Sequence, residues 1–132
     1  MKLITRDTDY ALRALCFIAR HRKEIVSVRE LVKKLKIPKP FLRKILQILN
    51  KKRILKSYKG KGGGFLLGVP ASKIFLVDLI EIFQGPLRLN ECFFKKMACP
   101  NTKTCGLKKK IDNIERYVIR ELNSITLTSL LN

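Results

Sequence analysis

The 132-residue chain suits one domain with an ordinary hydrophobic core, and 46% hydrophobic against 30% charged residues points to a globular fold rather than disorder. With 29 Lys and Arg against 10 Asp and Glu the net charge is +19, which implies a polyanionic partner, nucleic acid being the commonest. No apolar run approaches the ~18 residues that span a bilayer, and Thr5, Arg6, Asp7 and Asp9 interrupt the start before any signal-peptide apolar stretch. The expectation is a cytoplasmic protein without a membrane partner. The charge is uneven: residues 1–62 hold 19 basic and 4 acidic side chains, and residues 63–132 hold 10 and 6.

In chain order, residues 8–21 have helical spacing, with Tyr10, Ala14, Phe17 and Ile18 along one side and Ala11 and Leu15 beside them. Asp7 or Thr8 is the expected cap, which puts Asp9 in the first turn, where a carboxylate is favoured. Cys16 falls on the apolar side as core, and His21 at the basic helix end as a solvated terminal residue. Ser27 then opens a short helix, with Glu30 three residues on completing a capping box and Val28, Leu31 and Leu35 turned inward. Ile37-Pro-Lys-Pro stops that helix, and a third runs from Phe41 to Asn50. Leu42, Ile45, Leu46 and Leu49 form its inner face, while Lys39, Arg43 and Gln47 recur every four residues on the other. Two short helices, the second with a cationic and amide face, are the pattern of a helix-turn-helix.

Two strands are expected next, at 54–58 and 65–69, joined by Lys59-Gly-Lys-Gly-Gly-Gly64. Glycines let backbone approach a phosphate chain closely, and Lys59 and Lys61 add charge beside Gly60 and Gly62. A nucleotide-binding phosphate loop is excluded because no helix follows Gly64 and the G-K-[ST] ending is missing. No catalytic acid–base pair stands out either, so an enzyme is not expected. The fold class is therefore mainly α with a small β-hairpin wing: a winged helix-turn-helix over residues 1–70. Residues 71–132 supply a helix at about 72–84, with Ile74, Val77, Ile80 and Phe83 along it, a cysteine loop and a long helix, all within one compact domain.

The loop carries Cys92, Cys99 and Cys105 as C-x6-C-x5-C in a basic, turn-rich setting. Neighbouring Lys95, Lys96, Lys103 and Lys108 favour thiolate, the form that binds metal. Three soft ligands suit zinc or an iron–sulfur cluster, both of which want a fourth donor. A disulfide with one free thiol, or three unrelated cysteines, fits the spacing as well. From Leu107 to Leu122 apolar residues recur at Leu107, Ile111, Ile114, Val118 and Leu122. That narrow stripe is typical of a helix that pairs with another, here as a homodimer interface. Residues 126–131 add a last short turn.

The whole chain resembles the winged-helix regulators that include the iron–sulfur-assembly repressor IscR and the nitric-oxide-sensing repressor NsrR. The resemblance rests on TDYALRAL, IPKPFLRKIL, GKGGGFLLGVP, ECFF…CP…CGLKKKI and ITLTSLL, in that order. It implies a homodimeric repressor on a double-stranded operator, with the third helix in the major groove and Lys59 in the minor groove. The residues matching its DNA contacts are Lys39, Phe41, Arg43 and Lys59, and Ser27, Lys44, Gln47, Gly60, Lys61 and Gly62 complete the candidate surface. It also implies a 2Fe-2S or 4Fe-4S cluster on Cys92, Cys99 and Cys105, answering to iron supply, oxidants or nitric oxide. Two positions depart from the IscR pattern. Leu107 stands where a ligand histidine is usual, and Arg43 stands where an acid is usual. Thr8-Asp9-Tyr10 and Cys99-Pro100 match the NsrR-like branch, which implies Asp9 as fourth ligand, donated by the other subunit. A member that senses through bare cysteine thiols is the alternative.

Overall fold

The computed structural model describes residues 3–88 and 106–131. The elements run α1 (Arg6–Arg20), α2 (Val28–Leu35), α3 (Lys39–Lys51), β1 (Leu55–Tyr58), β2 (Gly64–Leu67), α4 (Leu76–Gln84), α5 (Gly106–Asn123) and α6 (Leu127–Leu130), with a 3-10 turn at Ala71–Lys73 before α4. One core gathers Ala11, Ala14, Leu15 and Ile18 of α1, Leu31 of α2, Leu42, Ile45, Leu46 and Leu49 of α3, Leu55 of β1, Leu79 of α4 and Leu127 of α6. Alanines on α1 let α3 and α4 approach its backbone closely, and each branched residue buried among them adds roughly 1.5–3 kcal/mol. A second small core of Leu76, Ile80 and Leu122 ties α5 to α4.

The two helices of the expected helix-turn-helix, α2 and α3, are set by their ends. Ser27 Oγ accepts from the Glu30 N–H at 3.1 Å, the N-cap half of the expected box. Helix α2 ends on Lys36 in the left-handed region (φ 56°), and Ile37, 2% exposed, anchors the turn. Pro38 caps α3 and Pro40 sits in its first turn, where its missing N–H is harmless. The inner face of α3 is Leu42, Ile45, Leu46 and Leu49, as its spacing predicts, and Lys39, Arg43 and Gln47 are all exposed.

Three local expectations are corrected. Helix α1 begins at Arg6, with Thr5 as an N-cap that makes no side-chain cap bond, rather than being capped by Asp7 or Thr8. The donor is satisfied from outside: Gln84 Oε1 accepts from the Thr5 N–H at 2.9 Å. Helix α4 starts at Leu76 rather than near 72, because Phe75 is extended and pairs with Thr126. Its buried face is accordingly Leu76, Leu79 and Ile80, with Val77 and Phe83 half-buried. The wing is also more than a hairpin, since Val26 exchanges two backbone hydrogen bonds with Phe65, at 3.0 and 2.8 Å, on the outer side of β2. Helix α6 is held by a reciprocal capping box between Thr126 and Ser129, which sequence reading did not single out.

Candidate nucleic-acid interface

The wing is built by glycine. β1 and β2 pair antiparallel from Leu55↔Leu67 to Tyr58↔Gly64, and the Gly63 N–H bonds Gly60 O at 3.0 Å to close the tip. A Cβ on Gly63 would fall 2.3 Å from Tyr58 O, and one on Gly64 the same distance from Val26 O. The strand therefore turns back over the α1–α2 connection with no side chain between them. Gly60 (φ 90°) and Gly62 (φ 80°) take left-handed conformations in open space, which leaves Lys59 and Lys61 exposed at the tip.

Between this tip and α3 lies an open groove lined by Gln47 and Asn50 from the helix and Ser57, Tyr58, Lys59 and Gly60 from the hairpin. Val28 and Phe65 make much of its floor apolar, while Gln47, Asn50, Ser57 and Lys59 supply the polar groups that could meet a sugar–phosphate strand. Lys39, Arg43, Lys44 and Gln47 line the solvent side of α3 beside it, and Phe41 is 42% exposed at the start of that helix. The Arg6 guanidinium lies 4.8 Å from the Phe41 ring centroid. Ser27 is half-buried and spends its hydroxyl on the α2 cap, so it faces the interface as a cap first.

Cys92, Cys99 and Cys105 lie outside the described residues. Of the candidate ligands, Asp9 is described: it sits in the first turn of α1, 44% exposed, paired with Arg13 at 3.0 Å. An exposed pair of this kind is worth about 0–1 kcal/mol, so the carboxylate is easily given up to a stronger acid. Next to it, Thr8 is fully buried and donates to Gln84 Oε1 at 2.6 Å, which sets the first turn of α1 against the end of α4. The stretch that carries the cysteines follows that end. His21 is at the far end of α1, about 18 Å from Asp9 along the axis. Its Nδ1 is 2.9 Å from Phe17 O and its ring stacks on Phe17 at 4.4 Å, so it serves the helix end. Cys16 is half-buried rather than fully inside; desolvation raises its thiol pKa and Arg20 offsets part of that, which disfavours a reactive thiolate.

The stripe on α5 divides. Leu107 is 69% and Ile114 51% exposed, and Ile111 and Val118 are half-buried. Leu122, expected on the same interface, is instead buried at 6% against Leu76 and Ile80 of its own chain, because α5 leans onto α4 at that end.

Residues 4–132 match the model of the Rrf2 family, described as iron-dependent transcriptional regulators. The chain is 32% identical over 133 residues to an HTH-type transcriptional regulator of Aquifex aeolicus, covering 98% of this chain and 92% of that one. It is 29% identical over 132 residues to the HTH-type transcriptional regulator NsrR of Bacillus subtilis, covering 92% and 90%. Among solved structures it is similar to CymR, the global cysteine regulator of B. subtilis, with a TM-score of 0.83 and 22% identity over 99% of this chain and 97% of that one. No described helix is long and apolar enough to cross a membrane. A winged helix with an exposed cationic face on α3, matched along almost its whole length by one family, makes this chain a member of the Rrf2 family, a DNA-binding transcriptional regulator and not an enzyme.

Proposed function

We propose that the chain is a homodimeric cytoplasmic repressor whose grip on a double-stranded operator is set by an iron–sulfur cluster, 2Fe-2S or 4Fe-4S. The observation that carries the DNA half is the division of labour on α3: its apolar side is spent in the core, which leaves Lys39, Arg43, Lys44 and Gln47 free beside the wing. In this reading Arg43 and Gln47 meet base edges in the major groove, and Lys39 and Lys44 meet phosphates. Lys59 and Lys61, with Gly60 and Gly62, reach the neighbouring minor groove. Phe41 packs at the rim. Two such heads are brought to a two-fold operator by pairing the open part of α5, at Leu107, Ile111, Ile114 and Val118.

Cys92, Cys99 and Cys105 would hold the cluster, with Asp9 as the fourth and weakest donor. Three thiolates with one carboxylate are a donor set an iron–sulfur centre accepts, and the ready release of Asp9 from Arg13 fits it. Likeness to NsrR and the iron-dependent description of the family support this half. When bound, the cluster would supply a centre reactive toward oxidants and nitric oxide. The rest is work for the chain's own residues: Asp9 leaves Arg13, and the first turn of α1 reports that change to the head. Likeness to CymR favours a second reading, in which the same cysteines act as thiols without a cluster.

Anaerobic reconstitution with iron and sulfide decides between them. Wild type should develop visible charge-transfer absorption, Cys92→Ala should not, and Asp9→Ala should keep a band that is altered or decays faster. A colourless wild type whose DNA binding still follows thiol oxidation would establish the thiol reading instead.

A further inference from the structure

Helix α3 begins without a side-chain cap: Ile37 and Leu42 anchor its inner side, and among the described residues the outer side of its first turn has no hydrogen-bonded partner of that kind. Its N-cap, Pro38, offers no side-chain cap bond, and Pro40 in the first turn lacks an N–H. The first outward residue after them is Phe41, 42% exposed, and what lies over its ring is the Arg6 guanidinium at 4.8 Å. Arg6 is the first residue of α1, and that turn is held by one side chain 76 to 79 residues away. Gln84 Oε1 accepts from the Thr5 N–H at 2.9 Å and from Thr8 Oγ1 at 2.6 Å, and Gln84 Nε2 donates to Leu3 O at 3.1 Å. Gln84 is the last residue of α4, which Gly85 (φ 81°) terminates.

We propose that Gln84 and Arg6 are positioning residues for the reading helix: Gln84 fixes the first turn of α1, and Arg6, from that turn, fixes Phe41 and with it the start of α3. The planar guanidinium matters as a stacking surface here, not as a phosphate ligand. Movement where the chain leaves α4 then reaches α3 through two short contacts, without unpacking the core. This rests on the DNA-reading assignment of α3, although its first test does not need DNA.

The experiment uses the full chain as wild type, Arg6→Ala, Arg6→Lys, Phe41→Leu and Gln84→Ala, with thermal unfolding confirming that each folds. Amide hydrogen exchange at residues 42–45 is measured without DNA. Affinity is then measured over a range of salt for a duplex that wild type selects from a random pool and for a scrambled duplex. Exchange at the start of α3 should quicken about two- to fivefold in Arg6→Ala and Gln84→Ala, the range an exposed cation–aromatic stack supports. Preference for the selected duplex should fall by a similar factor, with scrambled binding and salt slope unchanged. Arg6→Lys should sit nearer Arg6→Ala than wild type, and in a double variant made beside these, Arg6→Ala should add nothing to Phe41→Leu. Wild-type exchange in Gln84→Ala overturns the proposal. So does an Arg6→Ala protein that weakens both duplexes equally with a slope shallower by about 0.9, which makes Arg6 a phosphate contact. A wild type that selects no duplex defeats the DNA reading instead, and the exchange arm still decides the positioning role.

Discussion

Helices α3 and α5 are both amphipathic, yet α3 closes its apolar side inside its own chain, whereas α5 leaves most of its apolar side open. Leu42, Ile45, Leu46 and Leu49 are each at most 2% exposed, while Leu107 and Ile114 are more than half exposed. Periodicity alone reports only that a helix has an apolar side. What distinguishes the two is the number of elements around it: α1, α2 and β1 all contact α3. Among the described residues, the hydrophobic contact of α5 to its own chain is concentrated toward one end, at Val118 and Leu122. A helix finished within the monomer can devote its other side to DNA, and one left unfinished is suited to a second copy.

The largest effect expected from this contrast is at Leu46→Ala, which should remove about 2–5 kcal/mol of stability as a fully enclosed cavity forms. Urea unfolding checks it, and a loss below about 1 kcal/mol would mean α3 is less committed to the core than its burial indicates. Next is Ile114→Glu, expected to leave the fold intact while converting dimer to monomer in sedimentation. Binding to a two-fold duplex should weaken about 100-fold as the second head loses its tether. Leu122→Glu sharpens the comparison, since it should unfold the chain instead; if it too only splits the dimer, the division of the α5 stripe is misdrawn.

On the outer side of α3, Arg43→Ala should cost about 1–3 kcal/mol on the selected duplex and flatten base preference. Equal losses on selected and scrambled DNA would reduce Arg43 to a phosphate contact. Smallest is Ser27→Ala, which removes the α2 cap for about 1 kcal/mol. A larger loss in DNA affinity than in thermal stability would give the Ser27 hydroxyl a second job at the interface.

Both sides of α3 were legible in the sequence because its inner positions are aliphatic and most outer ones cationic or amide. The helix nonetheless starts at Lys39 and ends at Lys51 rather than running from Phe41 to Asn50, and Phe41 faces outward. The wing was legible because two short β-prone runs flank a glycine-rich tip, and Gly60 and Gly62 do take the left-handed turns there. The start of α1 was not, since its partner Gln84 is 79 positions from Thr5 and no local rule links them. Nor was the pairing of Val26 with Phe65, for a single bridging residue leaves no alternating run. Leu122 was misassigned for a related reason: it continues the α5 stripe in register, and only the lean of α5 onto α4 turns it inward. The cysteine stretch lies outside the described residues, so its ligand role stands on chemistry and resemblance.

The burial of Leu127 bears on how the protein comes to exist in the cell. The Leu127 side chain, 1% exposed, lies in the same core as Leu15 and Leu46, and the Leu127 backbone N–H donates to Ile74 O at 2.8 Å. During synthesis, at about 5–20 residues per second, residues 1–70 emerge several seconds before residue 127 does. Until then their core has an open side and its closing contact is missing. A nascent chain would thus be held back from a settled reading surface until the α6 segment is out of the ribosome, and a truncated product would be left to proteases rather than compete for operators.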